Sequence, residues 1–435
     1  MFFLRTICHP VLSTVCSALS STSIHSMASR VQPIYTLPIE TLCEIFLMAQ
    51  EVEPHIVLSI IQVSRRFREV AQGYPKLWKK INLRYKYRPF LRYSAGPGNT
   101  SLQAFCSHMR GDSPRVSKRT VDNLLSFLAV INSSSRLSKA RSIQQPKPTY
   151  SLSTLDIQLP HSAFEQLYLP CFPLPQSLEV LRISMANDSA DFIPEHWLGF
   201  PLPSLPRLRE LKLGHITPFV FGLGNSQVKY DRLEVLHVES CDACRPTNMT
   251  TFLKVLSSCA PTLVELSLFN TGVFSDVVPA PAISASLPLK LPKLKHLKLT
   301  GDIVDLTSLL NYLDISRCDQ LDCTYLMWFD WLSHEVTAVN FPVLASKTSA
   351  GLNLLANLKR IEFTHYRGSF LLKGYVDHSE DAATEPALRL YFPWRILEDG
   401  IHNFDWIKLA LSAQAYFSYH STHSDVDFKV VLEGL

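Results

Sequence analysis

Glycine is scarce in this sequence, at 15 of 435 residues, which is about half of the usual ~7%. Nucleotide-binding folds depend on glycine, because a residue without a side chain lets the backbone come close to phosphate. The chain has no Gly-x-Gly-x-x-Gly fingerprint, no Gly-x-Ser-x-Gly nucleophile elbow and no His-Glu-x-x-His zinc helix. These absences argue against an enzyme built on such motifs, and we expect no catalytic residue, no metal and no cofactor.

Long apolar runs are also lacking, so the sequence predicts no segment that spans a membrane. No charged residue occurs between Arg5 and Arg30, but ten serines and threonines make this stretch too polar for a bilayer core. We expect residues 1–30 to form a disordered leader. A signal peptide with its apolar centre at 11–19, or a transit peptide, is the alternative.

Cysteine is present but not concentrated, since the ten cysteines are scattered over a long chain. Disulfide frameworks are typical of short, secreted chains with closely spaced cysteines. Cys241 and Cys244 have the Cys-x-x-Cys spacing of a redox or zinc site, but no second such pair and no histidine pair accompanies them. We therefore expect free thiols in a reducing compartment, the cytoplasm or the nucleus.

Hydrophobic residues make up 46% of the chain and charged residues 18%, which is typical of a packed protein and excludes disorder throughout. At about 150 residues per domain, this length suggests two or three domains. One small domain followed by a long repeat array would fit equally well.

Residues 37–81 have the periodicity of three short helices. Pro38 suits the first turn of a helix, and an apolar stripe follows it, formed by Leu42, Ile45, Phe46 and Ala49. Pro54 is predicted to open a second helix with its own apolar stripe, formed by Ile56, Ile60, Val63, Phe67 and Val70. A third short helix is predicted to start at Pro75. A unit of this size buries little apolar surface, so docking to a partner would stabilise it.

In order and spacing these pieces resemble the F-box. The matching pieces are Leu37-Pro38-x-Glu40, Glu44-Ile45-Phe46, the run from Val63 to Arg68, and Pro75-x-Leu77-Trp78. Ser64-Arg65-Arg66-Phe67 stands where many F-boxes have Cys-Lys-x-Trp. The resemblance covers about fifty residues, and we assign the F-box to residues 31–83.

The resemblance implies that this segment docks on a small acidic adaptor, which joins it to a cullin–RING ubiquitin ligase of the SCF type. It also implies a set of apolar residues that form the adaptor-binding surface and the core beneath it: Leu37, Pro38, Ile45, Phe46, Val63, Phe67, Leu77 and Trp78. The sequence does not separate the docking members of this set from the core members.

Residues 151–435 repeat a motif with leucine-like residues at positions 1, 4 and 6, as in Leu208, Leu211 and Leu213. From 178 to 294 the motif returns every 25 to 31 residues, at the long end of the ~20–29-residue leucine-rich repeat. Positions 4 and 6 lie on the same side of a strand, so we expect Leu211 and Leu213 to face a core and Lys212 to face outward. Prolines precede several predicted strands, and residues 250–259 suit a helix between two of them.

After residue 300 the motif loses its regular spacing, and residues 303–331 can be aligned in two registers. One repeat is predicted at Leu310-Leu313-Ile315-Cys318, with Cys318 at the position where such repeats often place Asn or Cys. Residues 388–392 and 426–430 alternate like further strands, either as degenerate repeats or as a C-terminal cap for the exposed end of the array.

An F-box followed by such repeats resembles the F-box/leucine-rich-repeat proteins abundant in fungi. It implies an α+β fold, with a small three-helix F-box followed by an α/β leucine-rich-repeat solenoid.

The net charge of +4 conceals a basic segment. Residues 82–120 contain eight basic residues and one acid, so this segment carries +7 and the rest of the chain −3. We expect residues 84–150 to form a basic linker with a short helix, whose apolar stripe runs from Val121 to Ile131 and which ends at the serines after Asn132. Aromatics interleave with the cations of its first part, and Arg84, Lys86, Arg88 and Arg92 are candidates for contact with an acidic protein.

These features favour a non-catalytic substrate-recognition subunit of an SCF ubiquitin ligase, an inference from the resemblance. Its expected partners are the adaptor and cullin complex and an unknown target protein, with no membrane. One alternative is a repeat-based protein-binding scaffold outside ubiquitin transfer. The least favoured is a nucleic-acid binder that uses residues 84–119, where cations would meet phosphates and aromatics would stack on bases.

Overall fold

A computed structural model of the chain describes residues 34–53, 56–94, 99–107, 114–140, 149–160, 163, 174–186, 205–214, 230–239, 249–269, 288–302, 306, 309–310, 312–315, 317–326, 358–366, 369–376, 385–393, 418–420 and 428–433. The expected leader, residues 1–30, lies outside this range. The chain divides into two compact units. We call Met1–Cys106 with Asp122–Leu152 the helical unit, and Ser107–Val121 with Ser153–Leu435 the sheet unit.

The helical unit contains short helices and two short strands. A 3-10 turn at Ile34–Thr36 is followed by α1 (Ile39–Val52), α2 (Ile56–Val63), α3 (Arg65–Gln72), a second 3-10 turn (Pro75–Trp78), β1 (Lys80–Asn82), α4 (Arg88–Ser94), β2 (Asn99–Ser107) and α5 (Pro114–Ala140), whose first residues belong to the sheet unit. β1 and β2 pair in parallel, with Lys80 opposite Gln103.

The apolar stripe predicted as one helix from Ile56 to Val70 belongs to two helices, which corrects the prediction. The break is at Ser64, whose backbone is extended and whose hydroxyl accepts a hydrogen bond of 3.1 Å from the Phe67 backbone N–H. A serine in this place satisfies a donor that the first turn of α3 would otherwise leave unpaired.

The segment expected to be a basic linker with a short helix contains α4, β2 and a helix of 27 residues, α5. The serine run after Asn132 does not end α5, which continues to Ala140. The aromatic residues between the cations explain why the first part of this segment is folded. Tyr87 packs edge-on against Phe127, with ring centroids 5.5 Å apart, and both are buried. These rings supply core that a linker would lack.

The sheet unit has a mixed α/β architecture with one large, mainly parallel sheet. Its strands are β3 (Thr149–Pro160, which begins in the helical unit), β4 (Val180–Ala186), β5 (Glu210–Gly214), β6 (Val235–Glu239), β7 (Glu265–Phe269), β8 (Leu289–Lys290), β9 (His296–Asp302), β10 (Leu313–Asp314), β11 (Gln320–Leu326), β12 (Arg360–Tyr366), β13 (Ser369–Tyr375), β14 (Leu388–Pro393), β15 (Ser418–His420) and β16 (Phe428–Glu433). Helix α6 (Met249–Cys259) precedes β7, as predicted for 250–259.

The strand order is β3-β4-β5-β6-β7-β9-β11-β14-β13-β12-β16-β15. Neighbours from β3 to β14 pair in parallel, and the remaining pairs are antiparallel. β8 and β10 form a separate parallel pair.

The parallel strands share one register, which places equivalent leucines side by side. The first buried ladder consists of Leu155, Leu181, Leu211, Leu236, Leu266, Leu297, Leu321 and Leu388. The second lies two residues further along each strand, from Ile157 to Leu390. Lys212, between Leu211 and Leu213, is half-buried on the other face, as the alternation predicts.

The repeat predicted at Leu310-Leu313-Ile315-Cys318 is wrong in register. Leu313 lies in the small sheet, and the next strand of the large sheet is β11, in which Leu321 and Cys323 align with Leu297 and Leu299. Cys318 closes the turn before β11, where its N–H bonds to the Ile315 carbonyl at 2.9 Å, as Leu294 does to Leu291 before β9. It therefore replaces the first leucine of the motif.

Candidate protein-docking surfaces

Four of the eight predicted adaptor-binding residues form the core of the helical unit. Phe46, Phe67, Leu77 and Trp78 are all buried. The rings of Phe46 and Phe67 meet edge-on at 5.2 Å, and the Trp78 indole N–H donates to the Ala71 carbonyl at 2.7 Å. These side chains hold the helices together and are not available to a partner.

The other four are accessible. Leu37 and Ile45 are half-buried, Pro38 is exposed, and Val63 is 38% exposed. The Arg66 guanidinium donates to the Leu37 carbonyl at 2.6 Å, which ties this segment to α3. The structure thus separates a core set from a surface set where the sequence did not.

Three further apolar residues of α1 are exposed and were missed by the sequence reading: Ile39 at 55%, Met48 at 49% and Val52 at 73%. Ile45, Met48 and Val52 are spaced by three and four residues, so they lie on one helical face. The signal was present as a second apolar stripe beside the buried one. We call Ile45, Met48 and Val52 the apolar surface of the helical unit. Ile39 lies nine residues before Met48 and so on the opposite side of α1, and Leu37, Pro38 and Val63 are accessible elsewhere in the unit.

In the segment predicted as a basic linker, the rings between the basic residues do not form a continuous accessible surface on which bases could stack. Lys86, Arg88 and Arg92 are exposed and Arg84 is half-buried. Of the interleaved rings, Tyr87 and Phe90 are buried. Tyr85 and Tyr93 are half-buried, and Tyr93 packs on Trp78 with centroids 4.8 Å apart and accepts from the Gln72 amide at 2.9 Å. The alternation of cation and ring therefore spans the turn before α4 and α4 itself, and the buried rings face the core of the helical unit.

A second surface is the outer face of the parallel sheet. It is formed by the residues that alternate along each strand with those of the two buried ladders. One register row crosses eight strands and consists of Asp156, Arg182, Lys212, His237, Ser267, Lys298, Asp322 and Arg389. The row makes this face of the sheet polar. Lys298 and Arg389 are exposed, Ser267 is buried, and the other five side chains are half-buried.

Ion pairs order one end of this row. Arg182 donates to Glu210 at 2.8 Å and lies 3.8 Å from Asp156, and the Lys212 ammonium is 3.3 Å from Glu210. Burial tends to raise the pKa of Glu210, but the hydrogen bond from Arg182 and the charge of Lys212 hold it below its ordinary value. Burial raises the pKa of Asp156, against the effect of Arg182.

His237 lies at the centre of the row. Burial lowers its pKa, with Lys212 and Lys298 acting in the same direction and Glu239 and Glu265 against it. The imidazole is therefore neutral at pH 7 and can both donate and accept a hydrogen bond.

The five described cysteines, Cys43, Cys106, Cys259, Cys318 and Cys323, are buried. Burial raises the pKa of the Cys43 thiol, and the nearby carboxylates of Glu40 and Glu44 act in the same direction. Burial raises the pKa of Cys259 to about 12 and that of Cys318 to about 11, so both remain protonated. Cys241 and Cys244 lie outside the described residues.

Within the described part of the chain, no group of three or more His, Cys, Asp and Glu side chains is placed to hold a metal ion. None of the helices in that part is both long and apolar enough to cross a membrane. No model of a known protein family matches the chain. A search of curated proteins also finds no match.

Proposed function

We propose that this chain is a non-catalytic substrate-recognition subunit of an SCF-type cullin–RING ubiquitin ligase. In this proposal the helical unit is the F-box and binds the adaptor through its apolar surface. The sheet unit is a leucine-rich-repeat solenoid whose outer face binds a target protein. The chain raises the effective concentration of target lysines near the ubiquitin carrier and does no covalent chemistry itself.

The apolar surface of the helical unit is the observation that carries the proposal. Met48 is 49% exposed and Val52 is 73% exposed, and both lie with Ile45 on one face of α1. Exposed apolar side chains on one face mark interaction sites, and a unit of this size gains stability from covering them. The same helices carry the motif pieces that resemble the F-box, so the surface and the resemblance point to one partner.

The sheet unit supports the second half of the proposal. Its parallel strands leave one face polar, with partly or fully exposed side chains such as Arg182, Lys212 and Lys298 along the register row. Stacked repeats use extended surfaces of this kind to bind proteins.

Two of the four rings among the cations of residues 84–93, Tyr87 and Phe90, are buried, and Tyr93 packs on Trp78. This argues against the nucleic-acid alternative, because bases stack only on accessible rings.

The test is adaptor co-purification with a double variant, Met48→Asp and Val52→Asp. Both side chains are exposed, so the fold is retained, while charges on an apolar interface are expected to lower adaptor recovery by about tenfold or more. Val376→Asp is the matched control, since Val376 is 45% exposed and lies in the sheet unit. Trp78 is unsuitable for this test because it is a core residue.

Two results would contradict the proposal. The first is no adaptor bound by the unmodified chain, and the second is equal recovery with the double variant. Adaptor binding without any ubiquitylated partner in a reconstituted reaction would favour the scaffold alternative.

A further inference from the structure

The turns that lead into the parallel strands lie side by side at the N-terminal ends of those strands. We call this row of turns the basic turn edge of the sheet unit, and it is distinct from the outer face. Each turn closes with a backbone hydrogen bond from the first leucine of the motif, as from the Leu208 N–H to the Leu205 carbonyl at 3.0 Å and from the Leu233 N–H to the Tyr230 carbonyl at 3.1 Å. Pro206 and Pro292 occupy the second position of their turns, which proline favours. The turn before β7 differs, because the Leu263 N–H donates to the Cys259 carbonyl, one residue further back, at 3.0 Å. The other turns are equivalent, and their side chains form rows, in which Thr262 keeps the place directly before the first leucine.

The third position of these turns is mostly basic. From β4 to β11 this row reads Ser177, Arg207, Arg232, Thr262, Lys293 and Arg317. The four cations are exposed, and in the part of the chain that the structure describes none of them makes a salt bridge. Neighbouring parallel strands are ~4.8 Å apart, so four strand steps from Arg207 to Arg317 span about 19 Å.

A hollow lies at one end of this row. It has a volume of about 330 Å³ and is lined by Glu179, Pro206, Arg207, Arg209 and Arg232. Backbone hydrogen bonds fix its floor, since the Arg209 N–H donates to the Glu179 carbonyl at 2.8 Å and the Glu234 N–H donates to the Arg209 carbonyl at 2.7 Å. Arg209 is partly neutralised by Glu234, with Nη1 and Oε1 3.6 Å apart.

Arg207 and Arg232 stand one strand apart in this hollow without an ion-pair partner among the described residues. Two positive charges on adjacent strands repel each other, and an oxyanion bound between them would offset this repulsion. Guanidinium groups also match carboxylate and phosphate oxygens in a bidentate way. The hollow therefore fits a negatively charged group.

We propose that this edge, from Arg207 to Arg317, binds an extended acidic peptide segment of a partner protein, with one oxyanion side chain in the hollow. An extended peptide rises ~3.3 Å per residue, so about six residues cover the row. The oxyanion is a carboxylate or a phosphate monoester, which present the same chemistry to the arginines.

A nucleic-acid strand fits the edge less well. Glu179, Asp231, Glu234 and Asp319 interrupt the cations and would repel a continuous phosphate backbone. The exposed aromatics described in the sheet unit, Phe269 and Tyr391, lie on strands β7 and β14 and not on these turns. A peptide can place its acids opposite the arginines and leave the interrupting positions neutral.

The experiment measures fluorescence anisotropy of the full chain with labelled decapeptides of one sequence, in which the central side chains are either three glutamates, one phosphoserine or three serines. We expect the serine peptide to bind at least tenfold more weakly than the better acidic peptide. We also expect Arg207→Glu with Arg232→Glu to weaken that peptide by tenfold or more. The matched control is Lys254→Glu with Lys359→Glu, which makes the same charge change on exposed residues of the sheet unit that lie in neither the turns nor the register row, and it is expected to alter binding less than twofold.

The acidic peptide that binds more tightly identifies carboxylate or phosphate as the source of the oxyanion. Three results would overturn the inference: neither acidic peptide binds, the control pair weakens binding as much as the arginine pair, or a ten-nucleotide single-stranded DNA binds as tightly as the peptides. The inference does not depend on ubiquitin transfer. Adaptor recovery by the arginine variant, measured in parallel, separates its failure from a failure of the proposed function.

Discussion

At the scale of single residues, burial decides roles that side-chain chemistry leaves open. Leu37 and Leu77 are the same amino acid in the first and last motif pieces, yet their exposure differs. Leu77 is fully buried and its carbonyl accepts a hydrogen bond from the Gln50 amide at 2.7 Å, whereas Leu37 is partly accessible. The sequence likewise predicts Cys318 at the Asn or Cys position of a repeat, but the hydrogen bonding of its turn shows that it occupies the position of the first leucine of the motif.

His237 gives a pH dependence with a defined sign. Its pKa is lowered in the folded chain by burial, so the unfolded chain binds more protons below the ordinary histidine value of about 6.5. The stability that depends on neutral His237 is complete at higher pH and is lost as pH falls through this range. We expect His237→Gln to reduce the drop in melting temperature between about pH 7.5 and about pH 5.5.

His296→Gln is the control, because His296 is exposed at the edge of the same face. An unchanged pH dependence in the His237 variant would show that other groups cause it.

At the scale of elements, caps and turns decide where the chain is divided. Apolar periodicity continues through Ser64, yet the helix does not, because the Ser64 hydroxyl caps a new one. We expect Ser64→Ala to destabilise the helical unit by about 1 kcal/mol, the usual cost of losing an N-cap side chain. Urea unfolding followed by circular dichroism measures this.

Ser64→Asp provides the matched test, since aspartate also caps well and is expected to retain stability. If alanine and aspartate are equally destabilising, the hydroxyl does not act as a cap.

Contacts between elements also explain why the start of the predicted linker is folded. The pattern of cations and rings from Arg84 to Tyr93 fits an exposed strand, a linker or a helix with a buried side. Only the neighbours decide among them, since Tyr87 needs Phe127 and Phe90 needs Trp78, at 5.4 Å, to be buried. These partners are about 40 and 12 residues away in sequence, and local periodicity carries no record of them.

At the scale of the whole molecule, each unit has a core of its own. Leu236 lies inside the first leucine ladder, between Leu211 and Leu266, and is fully buried. We expect Leu236→Ala to destabilise the sheet unit by about 2–5 kcal/mol, as large-to-small changes in a core do. Under the proposed function, this variant loses target binding but still recovers the adaptor.

Thermal unfolding and adaptor recovery of the Leu236 variant, measured on one preparation, check this prediction. Loss of adaptor together with target would indicate that the two activities do not belong to separate units.

The sequence by itself determined the inward-facing leucines, the helix before β7 and the absence of common catalytic motifs. These depend on local periodicity and composition, which a single chain displays directly. Only the tertiary structure decided which of Leu37, Phe46, Val63 and Trp78 remain accessible, which register the chain takes after residue 300, and that Arg207 and Arg232 line one hollow. The physical reason is that burial, register and charge clustering are properties of pairs of residues far apart in sequence. The scarcity of glycine accompanies the absence of glycine-rich phosphate-binding motifs from the sequence. The basic turn edge, proposed to bind anions without such loops, becomes visible only when the strands lie side by side.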